Sequence, residues 1–302
     1  YEVVPVTSNG ILSRDAVAAV MSDQVAALMI TNPNTLGLFE ANIRAICDLV
    51  HEQGGLVYCD GANLNALMGI SRPGDLGIDV MHFNLHKTFS TPHGGGGPGA
   101  GPVGVVAELE PFMPTPIIVK DKENFRLESD LPQSIGRLRS FYGNFGVLVR
   151  AWSYILTMGA AGLKRASEMA VLNANYIRSR LEPVYDLPHK HRSLHEVVFS
   201  DKDLEGDCHT LDVAKRLIDY GFHPPTIYFP LVVKGAIMIE PTETESMEIL
   251  DEFCDAMIAI VEEAKENPEL LRQAPQLTRI KRLDETTAAR QPCLCWLPEE
   301  ND

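Results

Sequence analysis

The first hundred residues alternate short apolar runs with segments of helical periodicity, and this alternation constrains the fold more than any other feature. Apolar runs predict five strands, at residues 3–6, 25–30, 56–60, 80–84 and 103–106. Apolar positions recur at helical spacing over residues 13–21 and 39–53, with Ser13 placed to cap the first helix. Nearly continuous apolar strands separated by helices are typical of a parallel sheet covered on both faces. The sequence therefore predicts an α/β fold with a mostly parallel sheet.

The second half of the chain has a different pattern. Charged residues dominate the segment 120–130, which predicts a loop, and a helical stretch with few breakers follows over residues 146–182. Further strands are predicted at residues 196–200, 227–233 and 236–240, and further helices at residues 210–220 and 243–265. This mixture is an α+β pattern. The polar tail after Asn267 is expected to extend over the surface.

These patterns predict three parts of the chain. Residues 1–145 would form part of a large ligand-binding domain, residues 146–182 a linking helix, and residues 183–302 a small α+β domain with its tail. In parallel sheets, ligands gather at the carboxyl ends of the strands. Asp60 and the segment 84–87 both follow predicted strands, so we expect the functional site at that edge.

The composition excludes some classes of partner. The chain carries 41 acidic and 26 basic residues, a net charge of -15, whereas nucleic acids and anionic membrane surfaces attract basic proteins. The longest apolar stretch, residues 147–163, contains Arg150 and is interpreted as a core helix rather than a membrane span. The 6 cysteines lack the spacing of a disulfide framework or a zinc site, so we expect a cytoplasmic protein with free thiols.

Lys87 stands in the segment NLHKTF, between a predicted strand and a run of glycines from Gly94 to Gly97. In enzymes that use pyridoxal phosphate, the lysine that bonds covalently to the cofactor often lies in such a position. Glycine allows the backbone to approach a ligand closely, so we expect the glycine run to form part of the site wall. The alternative is a flexible connector.

Asp60 is the candidate partner for the cofactor's pyridine nitrogen. It ends the apolar run Leu56 to Asp60 and precedes Lys87 by 27 positions, room enough for a helix and one more strand. A carboxylate beside that nitrogen keeps it protonated, so that the ring accepts electrons. The alternative is an aspartate that only caps the next helix.

Other polar residues follow the same strand ends. Asn32 or Asn34 would donate a hydrogen bond to the cofactor, unless they form an Asx turn after their strand. His86 would contact the phosphate or the ring, and we include the hydroxyl of Thr88 among the cofactor-binding candidates. A metal cluster of His82, His86 and His93 is the alternative for the histidines, but no carboxylate or cysteine completes such a set, and we predict no metal.

Four segments together resemble a known family. They are TNPNTLGLFE at 31–40, DGANLNALMGISRPGDLGIDVMHFNLHKTFSTPHGGGGPGAGPVGV at 60–105, SFYGNFGVLVRAWSYI at 140–155 and IEPTETES at 239–246. They resemble the P-protein of the glycine cleavage system, the pyridoxal phosphate-dependent glycine decarboxylase, also called glycine dehydrogenase (aminomethyl-transferring). The resemblance covers essentially the whole chain, and its end is similar to that of the second subunit of the two-subunit form.

The resemblance implies a fold-type I enzyme and a specific reaction. Glycine would lose its carboxylate as CO2, and its aminomethyl group would pass to the lipoyl arm of H-protein. Lys87 would bond to the cofactor, Asp60 would pair with the pyridine nitrogen, and Ala62 would pack on a face of the ring. A first P-protein subunit is the implied partner, and the full-length enzyme would be an oligomer.

One departure from the family affects the cofactor. The family's second subunit carries a substantial region before the point where this sequence begins, and related enzymes draw phosphate-binding and ring-stacking residues from it. We therefore expect an incomplete large domain that binds pyridoxal phosphate weakly or not at all on its own. Two alternatives stay open: another fold-type I enzyme, such as an amino-acid decarboxylase or aminotransferase, and a non-catalytic scaffold subunit.

Overall fold

The computed structural model describes residues 1–95 and 99–296, so Gly96 and Gly97 of the predicted glycine run lie outside the described residues. The chain divides into two compact units. Unit 1 comprises Tyr1–Ser179, Pro188–Val198 and Met238–Ser246, and unit 2 comprises Arg180–Leu187, Phe199–Ile237 and Met247–Asp302. Each unit gathers segments that are distant in sequence. The three parts predicted from the sequence stay a prediction.

Unit 1 contains a four-stranded sheet. Its strands are β1 (Ala27–Thr31), β2 (Leu56–Asp60), β3 (Val80–His82) and β4 (Val103–Val105), and they lie in the order β1-β2-β3-β4. The first three strands are parallel, and β4 is antiparallel to β3. The predicted α/β fold with a mostly parallel sheet is confirmed, with β4 as the reversed strand.

Two helices accompany this sheet. Helix α1 (Arg14–Ala18) begins where Ser13 accepts a hydrogen bond from the backbone of Ala16, so the predicted cap is confirmed. Helix α2 (Ile43–Glu52) turns one apolar face inward. The residues of that face join the apolar side chains of β2 in one core; they are Ile43, Ile46, Cys47, Leu49 and Val50. Burial of these side chains fixes the strands beneath the helix.

The parallel strands end level with one another. Thr31, the last residue of β1, pairs with Asp60 at the end of β2, and Asp60 pairs with His82 at the end of β3. The loops after β1, β2 and β3 therefore leave the sheet from one edge. One strand ends earlier than predicted, because Asn84 is the N-cap of the one-turn helix α3 (Leu85–Thr88).

The first predicted strand is absent from the structure. Residues 3–6 adopt no regular structure, and Val3 is 76% exposed. Apolar character alone was the basis of that prediction, and no neighbouring strand pairs with this segment within the described residues.

The predicted loop at residues 120–130 is instead a β-hairpin. Strand β5 (Ile117–Asp121) pairs antiparallel with β6 (Asn124–Glu128), and Lys122 adopts a positive φ of 56° in the turn between them. Charged residues are compatible with strands here because most of the hairpin is exposed. The charged residues therefore indicate that this segment is exposed, not that it lacks strands.

The long predicted helix is present but interrupted. Helix α4 (Phe145–Leu181) contains Gly159, whose φ of 58° and ψ of -178° are not helical. A residue other than glycine would be strained at this positive φ. No sequence pattern places the break at this glycine rather than at Gly162.

Helix α4 is also more exposed than a core helix. It contains an 18-residue window of mean hydropathy 1.2, long and apolar enough to cross a membrane, and only 11% of that window is buried. Phe145, Trp152 and Leu156 are among its exposed side chains. A single such helix is weak evidence for a membrane segment, because some helices of soluble proteins have the same length and composition. The expectation of a buried core helix is nevertheless wrong.

A second sheet has three strands, β7 (Val197–Ser200), β8 (Thr226–Ile227) and β9 (Ala236–Ile239), in the order β7-β9-β8. The predicted strand 227–233 is much shorter in the structure. Unit 2 adds the helices α5 (Thr210–Asp219), α6 (Met247–Glu266), α7 (Pro268–Arg272) and α8 (Glu285–Arg290).

The tail after Asn267 differs from its prediction only in its first part. That part forms α7, whose Leu271 is fully buried, whereas residues 276–296 are mostly exposed, as predicted. Further along, Arg282 donates hydrogen bonds to the carbonyls of Leu271 and Ala274 and to the carboxylate of Asp212. These contacts hold the segment against unit 2 as far as Arg282.

Candidate functional site

Asp60 ends β2 and also begins the next element. Its Oδ1 accepts a hydrogen bond of 2.8 Å from the backbone of Ala62, which caps the 3-10 helix Gly61–Ala66. Gly61 permits this turn because a Cβ there would lie 1.9 Å from the carbonyl oxygen of His82. The structure therefore places the predicted carboxylate at the strand edge and gives it the capping role as well.

A histidine and a tyrosine hold this carboxylate. His82 Nε2 lies 3.1 Å from Asp60 Oδ1, and His82 Nδ1 lies 2.7 Å from the hydroxyl of Tyr58. The hydroxyl of Tyr58 and Nδ1 of His82 share one hydrogen bond, and burial, followed by the nearby Asp60 and Cys59, raises the pKa of Tyr58. Sequence reasoning did not find this orienting role for His82, although the level strand ends could have suggested it.

Lys87 lies in α3, directly after β3, and its side chain is exposed. The backbone of Lys87 donates to the carbonyl of Asn84, which closes the single turn. Leu85 packs in a small apolar cluster with Val147 and Ala151 of α4. The lysine is thus carried on a short turn that is anchored by the apolar residue two positions before it.

Three buried polar atoms lie next to this lysine in sequence. Asn84 Oδ1, His86 Nδ1 and Thr88 Oγ1 have no hydrogen-bond partner within residues 1–95 and 99–296. The ring of His86 meets that of His93 edge-on at 4.6 Å between centroids. Burial, His93 and Lys87 together lower the pKa of His86. Buried polar groups without partners are uncommon, so these atoms are available to a ligand.

The two asparagines after β1 have local structural roles. Asn34 donates to the carbonyl of Gly10 and to Glu40, and its Oδ1 accepts from the backbones of Leu36 and Leu38. That is the Asx turn expected as the alternative. Asn32 is buried, and its Oδ1 accepts from the backbone of Glu40. These contacts favour a structural role for Asn34, and a cofactor contact from either asparagine stays a prediction.

A second group of ionisable residues lies in unit 1, and no motif in the sequence indicates it. We call His195, Glu196 and Glu240 the His195 cluster. His195 Nε2 is 3.8 Å from Glu196 Oε2 and 3.8 Å from Glu240 Oε1, and one donor atom from each residue lies within 4.8 Å of the others. Glu196 and Glu240 stand next to β7 and β9, which are neighbouring strands.

The 3-10 helix after Asp60 holds both carboxyl groups of this cluster. Asn63 Nδ2 lies 3.4 Å from Glu196 Oε1, and Asn65 Nδ2 donates to Glu240 Oε1 at 2.9 Å. The same 3-10 helix therefore follows Asp60 directly, and its residues Asn63 and Asn65 contact the two glutamates. No periodicity in the sequence joins positions 63 and 196.

The backbone around Glu196 also packs closely against the backbone at Gly37. Gly37 has a φ of 73°, and a Cβ there would lie 2.1 Å from the carbonyl oxygen of Glu196. The backbone of Leu194 also donates to the carbonyl of Gly37. Only glycine fits between these two segments.

The His195 cluster is electrostatically unusual. Burial, followed by the nearby Glu240, raises the pKa of Glu196 to about 8, although the charge of Lys87 acts in the opposite direction. Burial and then Lys87 lower the pKa of His195 to about 4. At neutral pH the cluster therefore holds a protonated Glu196 and a neutral His195. Perturbed pKa values of this kind are typical of functional sites.

Comparisons with known proteins show what the chain is similar to. Residues 166–276 match the model "Glycine dehydrogenase, C-terminal domain", and residues 1–97 match "Aminotransferase class-V". The probable glycine dehydrogenase (decarboxylating) subunit 2 of Caldanaerobacter subterraneus subsp. tengcongensis is 60% identical over 98% of this chain and 62% of its own length. The probable subunit 2 of Shouchella clausii is 58% identical over 97% of this chain and 60% of its own length. Over nearly its whole length the chain is therefore similar to proteins named glycine dehydrogenase (decarboxylating) subunit 2.

The chain spans about three fifths of the length of these glycine dehydrogenase relatives. Solved structures agree on the fold. A glycine decarboxylase (P-protein) of the glycine cleavage system, in inhibitor-bound form, superposes with a TM-score of 0.70 and 19% identity, over 85% of this chain and 59% of that chain. A cysteine desulfurase from Thermococcus onnurineus NA1 superposes with a TM-score of 0.66 and 17% identity, over 86% of this chain and 66% of that chain. The fold is that of the fold-type I enzymes.

The residues at this strand edge are compatible with the pyridoxal phosphate expected from the sequence. Asp60 would supply a carboxylate for the ring nitrogen, and Lys87 would supply an amine. The unpartnered atoms of Asn84, His86 and Thr88 supply buried hydrogen-bonding groups beside that amine. Ala62, expected against a ring face, is partly buried two residues after Asp60. The role of each of these residues stays a prediction.

Proposed function

We propose that this chain takes part in the pyridoxal phosphate-dependent decarboxylation of glycine, with transfer of the aminomethyl group to the lipoyl arm of H-protein. Relatives that are 54% to 60% identical and named glycine dehydrogenase (decarboxylating) subunit 2 support this proposal. The name "subunit 2" also supports a first subunit as partner. We assign the complete reaction to the assembled enzyme.

The observation that carries the proposal is the shared strand edge. Asp60 and His82 end neighbouring parallel strands in register, and Lys87 follows five residues after His82. An acidic residue and a primary amine therefore leave the sheet from one edge, where ligands of α/β proteins bind. When bound, pyridoxal phosphate acts as an electron sink for the pair of electrons that remains when glycine loses CO2.

The residues of this chain have distinct roles in that proposal. Lys87 supplies the amine that attaches the cofactor, and its position on a one-turn helix limits where that amine reaches. Asp60 holds a proton at the ring nitrogen, while His82 and the backbone of Ala62 keep the carboxylate in one orientation. His86, with its lowered pKa, is a neutral hydrogen-bonding group at physiological pH.

The attachment site can be tested without turnover. The assembled enzyme is incubated with pyridoxal phosphate, reduced with borohydride and digested, and the modified lysine of this chain is located by mass spectrometry. We expect the adduct at Lys87 in preference to the exposed Lys120, which serves as the internal control. Lys87→Arg should remove the adduct, whereas Lys120→Arg should leave it. Equal labelling of the two lysines in the unmodified chain would contradict the proposal.

The reaction can be tested with the partners present. Exchange of labelled bicarbonate into glycine is measured with lipoylated H-protein and a first subunit, with and without this chain. We expect exchange that depends on this chain and is lost in Lys87→Ala. Unchanged exchange in Lys87→Ala would favour a scaffold role. Absence of glycine exchange while another amino acid reacts would favour a different fold-type I enzyme.

The cysteines support a further part of the proposal, a cytoplasmic location. All 6 are free, and Cys47, Cys59, Cys208 and Cys254 are buried. Free thiols persist in reducing compartments, whereas secreted proteins usually pair theirs. Fractionation of cells that produce the full protein tests this assignment, and recovery outside the cytoplasm would overturn it.

A further inference from the structure

The proposed decarboxylation assigns no task to the His195 cluster. The cluster brings one imidazole and two carboxyl groups together from separate segments of unit 1. His195 and Glu196 stand immediately before β7, and Glu240 follows β9 directly. These residues share no member with the histidine set considered from the sequence, which was His82, His86 and His93. They form a separate group of candidate ligand atoms.

His195 is buried without a hydrogen-bond partner. Its relative exposure is 0%, and neither ring nitrogen has a partner within residues 1–95 and 99–296. Nε2 lies 3.8 Å from Oε2 of Glu196 and 3.8 Å from Oε1 of Glu240, whereas N–H···O hydrogen bonds are about 2.7 to 3.2 Å long. The imidazole therefore faces both carboxyl groups without bonding to either. A buried polar group of this kind costs stability unless a further ligand satisfies it.

The two carboxyl groups have no cation of their own. In the described parts of the chain, neither Glu196 nor Glu240 lies within ion-pair distance of a lysine or arginine. The side chain of Glu196 is only 3% exposed, so water does not compensate for the missing partner. Buried carboxylates are usually paired with a cation or bound to a metal ion. A doubly charged cation between these groups would balance the charge of both.

We propose that the His195 cluster binds a divalent transition-metal ion through Nε2 of His195, Oε2 of Glu196 and Oε1 of Glu240. These three atoms all lie within 4.8 Å of one another. Atoms that bind one Zn²⁺ at ~2.0 to 2.2 Å lie roughly 3 to 3.6 Å apart. The two distances of 3.8 Å are only slightly longer, so small side-chain movements would close the site. This proposal goes beyond the proposed function and does not depend on it.

The kinds of donor atom select the class of ion. Ca²⁺ and Mg²⁺ prefer sites made of oxygen atoms, whereas an imidazole nitrogen favours transition metals such as Zn²⁺. A coordinated carboxylate is ionised, so binding releases the proton of Glu196 to solvent and leaves a site with no net charge. Three protein ligands leave one position of a tetrahedral ion for water or another ligand. Glu240, whose side chain is 46% exposed, gives the ion access from solvent.

Two asparagines of the 3-10 helix Gly61–Ala66 orient the carboxyl groups. Asn65 Nδ2 donates to Oε1 of Glu240 at 2.9 Å, and Asn63 Nδ2 lies 3.4 Å from Oε1 of Glu196. The other oxygen of Glu196, Oε2, faces His195 and is the one available to the ion. Outer contacts of this kind hold metal ligands in position. A bound ion would therefore tie this 3-10 helix to the segments that carry Glu196 and Glu240.

Zn²⁺ binding to the assembled enzyme tests the proposal. Cys293→Ser and Cys295→Ser are present in every sample, because exposed thiols compete for Zn²⁺. The untagged enzyme is dialysed against Zn²⁺, and elemental analysis counts the retained metal per copy of this chain. Competition with a chromophoric chelator gives the affinity. The comparison is between the enzyme with the natural His195 cluster and single variants of the cluster and its surroundings.

The variants should fall into three classes. Glu196→Gln and Glu240→Gln should each retain one equivalent of Zn²⁺ fewer than the enzyme with the natural cluster, because a carboxamide is a poor ligand for Zn²⁺. Asn65→Ala should keep that equivalent with an affinity about tenfold weaker, the effect of losing an outer contact. Glu52→Gln, at an exposed carboxylate of α2, is the matched control and should change neither the content nor the affinity.

Two results would overturn the proposal. Equal Zn²⁺ content and affinity in Glu240→Gln and in the enzyme with the natural cluster would show that the cluster binds no metal. Displacement of the bound Zn²⁺ by an equimolar amount of Mg²⁺ would show that the class of ion is wrong. Glu240→Gln is nearly isosteric at a half-exposed position, so it keeps the test available if Glu196→Gln does not fold. No step uses pyridoxal phosphate or glycine, so failure of the proposed function would leave this result standing.

Discussion

Two groups of ionisable side chains, one in each unit, differ in how completely they are paired. In unit 2, Arg216 donates from Nε and Nη2 to both oxygens of Glu263 at 2.8 Å, and its Nη1 lies 3.2 Å from Asp219. We call these three residues the Arg216 cluster. In the His195 cluster of unit 1, two carboxyl groups face a neutral histidine that has no hydrogen-bond partner in the described structure.

The two clusters shift carboxyl pKa values in opposite directions. Burial alone would raise the pKa of Asp219, but hydrogen bonds from the backbones of Leu277 and Gln276 and from Arg216 hold it below its usual value. The pKa of Glu263 is likewise lowered, because Arg216 and Tyr220 outweigh burial. In the His195 cluster, burial dominates and the pKa of Glu196 rises. Satisfied pairing thus favours the ionised carboxylate, whereas burial without a cationic partner favours the protonated carboxyl group.

The difference separates stability from function. A cluster whose donors and acceptors are all used has no capacity for a ligand or a proton, and its contribution is to the fold. A cluster that keeps unpaired buried atoms, as the His195 cluster does, gives up stability at that position. Proteins tolerate such positions mainly at functional sites. The comparison therefore predicts that substitutions will have opposite consequences in the two units.

The largest effect is expected in the Arg216 cluster. Arg216→Met removes the cation and leaves Glu263 and Asp219 with unpaired charge, and we expect a loss of about 2 to 4 kcal/mol in the free energy of unfolding. Urea denaturation at pH 7 measures it. Arg72→Met, at an exposed ion pair with Asp75, is the control and should cost at most about 0.5 kcal/mol. Equal losses of unfolding free energy in the two variants would show that the Arg216 cluster stabilises the fold no more than an exposed ion pair does.

Local and long-range features of this molecule differed in how well the sequence predicted them. Strand β2 was predicted at its exact limits, because five residues of suitable character are followed by Gly61. Asp60 and Lys87 were found as candidates because Asp60 ends a strand and Lys87 lies a few residues after the end of the next one. Hairpin β5–β6 was missed because charged residues suggested a loop, although the strands pair with each other rather than with a core.

The His195 cluster could not have been predicted in this way. The contacts that assemble it join residues 133 and 175 positions apart, Asn63 with Glu196 and Asn65 with Glu240. Periodicity reports which face of an element is buried but not which distant element meets it. Glu196 also follows a histidine immediately before an apolar strand, a pattern with no specific chemical meaning by itself.

A smaller, pH-dependent effect is expected at Glu196. Its pKa in the folded chain, about 8, is above the ordinary value of 4.5, so its contribution to stability is complete below pH 4.5 and is lost as the pH rises through 8. Glu196→Gln cannot ionise and should lose nothing over that interval. Relative to the variant, the unmodified chain should lose roughly 1 to 3 kcal/mol of unfolding free energy between pH 5 and pH 8.5.

Urea denaturation of both proteins across this interval measures the difference, with Glu52→Gln as the control for loss of an exposed carboxylate. The Arg216 cluster has the opposite sign, because the lowered pKa values of Asp219 and Glu263 give stability that is lost only as the pH falls below about 4.5. Parallel pH profiles for Glu196→Gln and the unmodified chain would show that Glu196 is ionised in the folded state, contrary to its burial.

The smallest effect is expected at His195, and it sharpens the comparison because the residue is buried as deeply as any in the core. His195→Leu replaces unpaired ring nitrogens with apolar atoms of similar volume, so at pH 7 the unfolding free energy should stay within about 1 kcal/mol of the original, or rise. Below pH 6.5 the unfolding free energy of the variant should rise relative to that of the unmodified chain. The reason is that the pKa of His195 in the folded chain is about 4, so His195 lowers the stability of the unmodified chain as the pH falls from 6.5 to 4. Urea denaturation at pH 7 and pH 5 tests both parts, with His51→Leu at the half-exposed pair with Asp79 for comparison. A loss of more than about 2 kcal/mol at pH 7 would instead indicate that His195 makes essential hydrogen bonds in solution, and the His195 cluster would then resemble the Arg216 cluster.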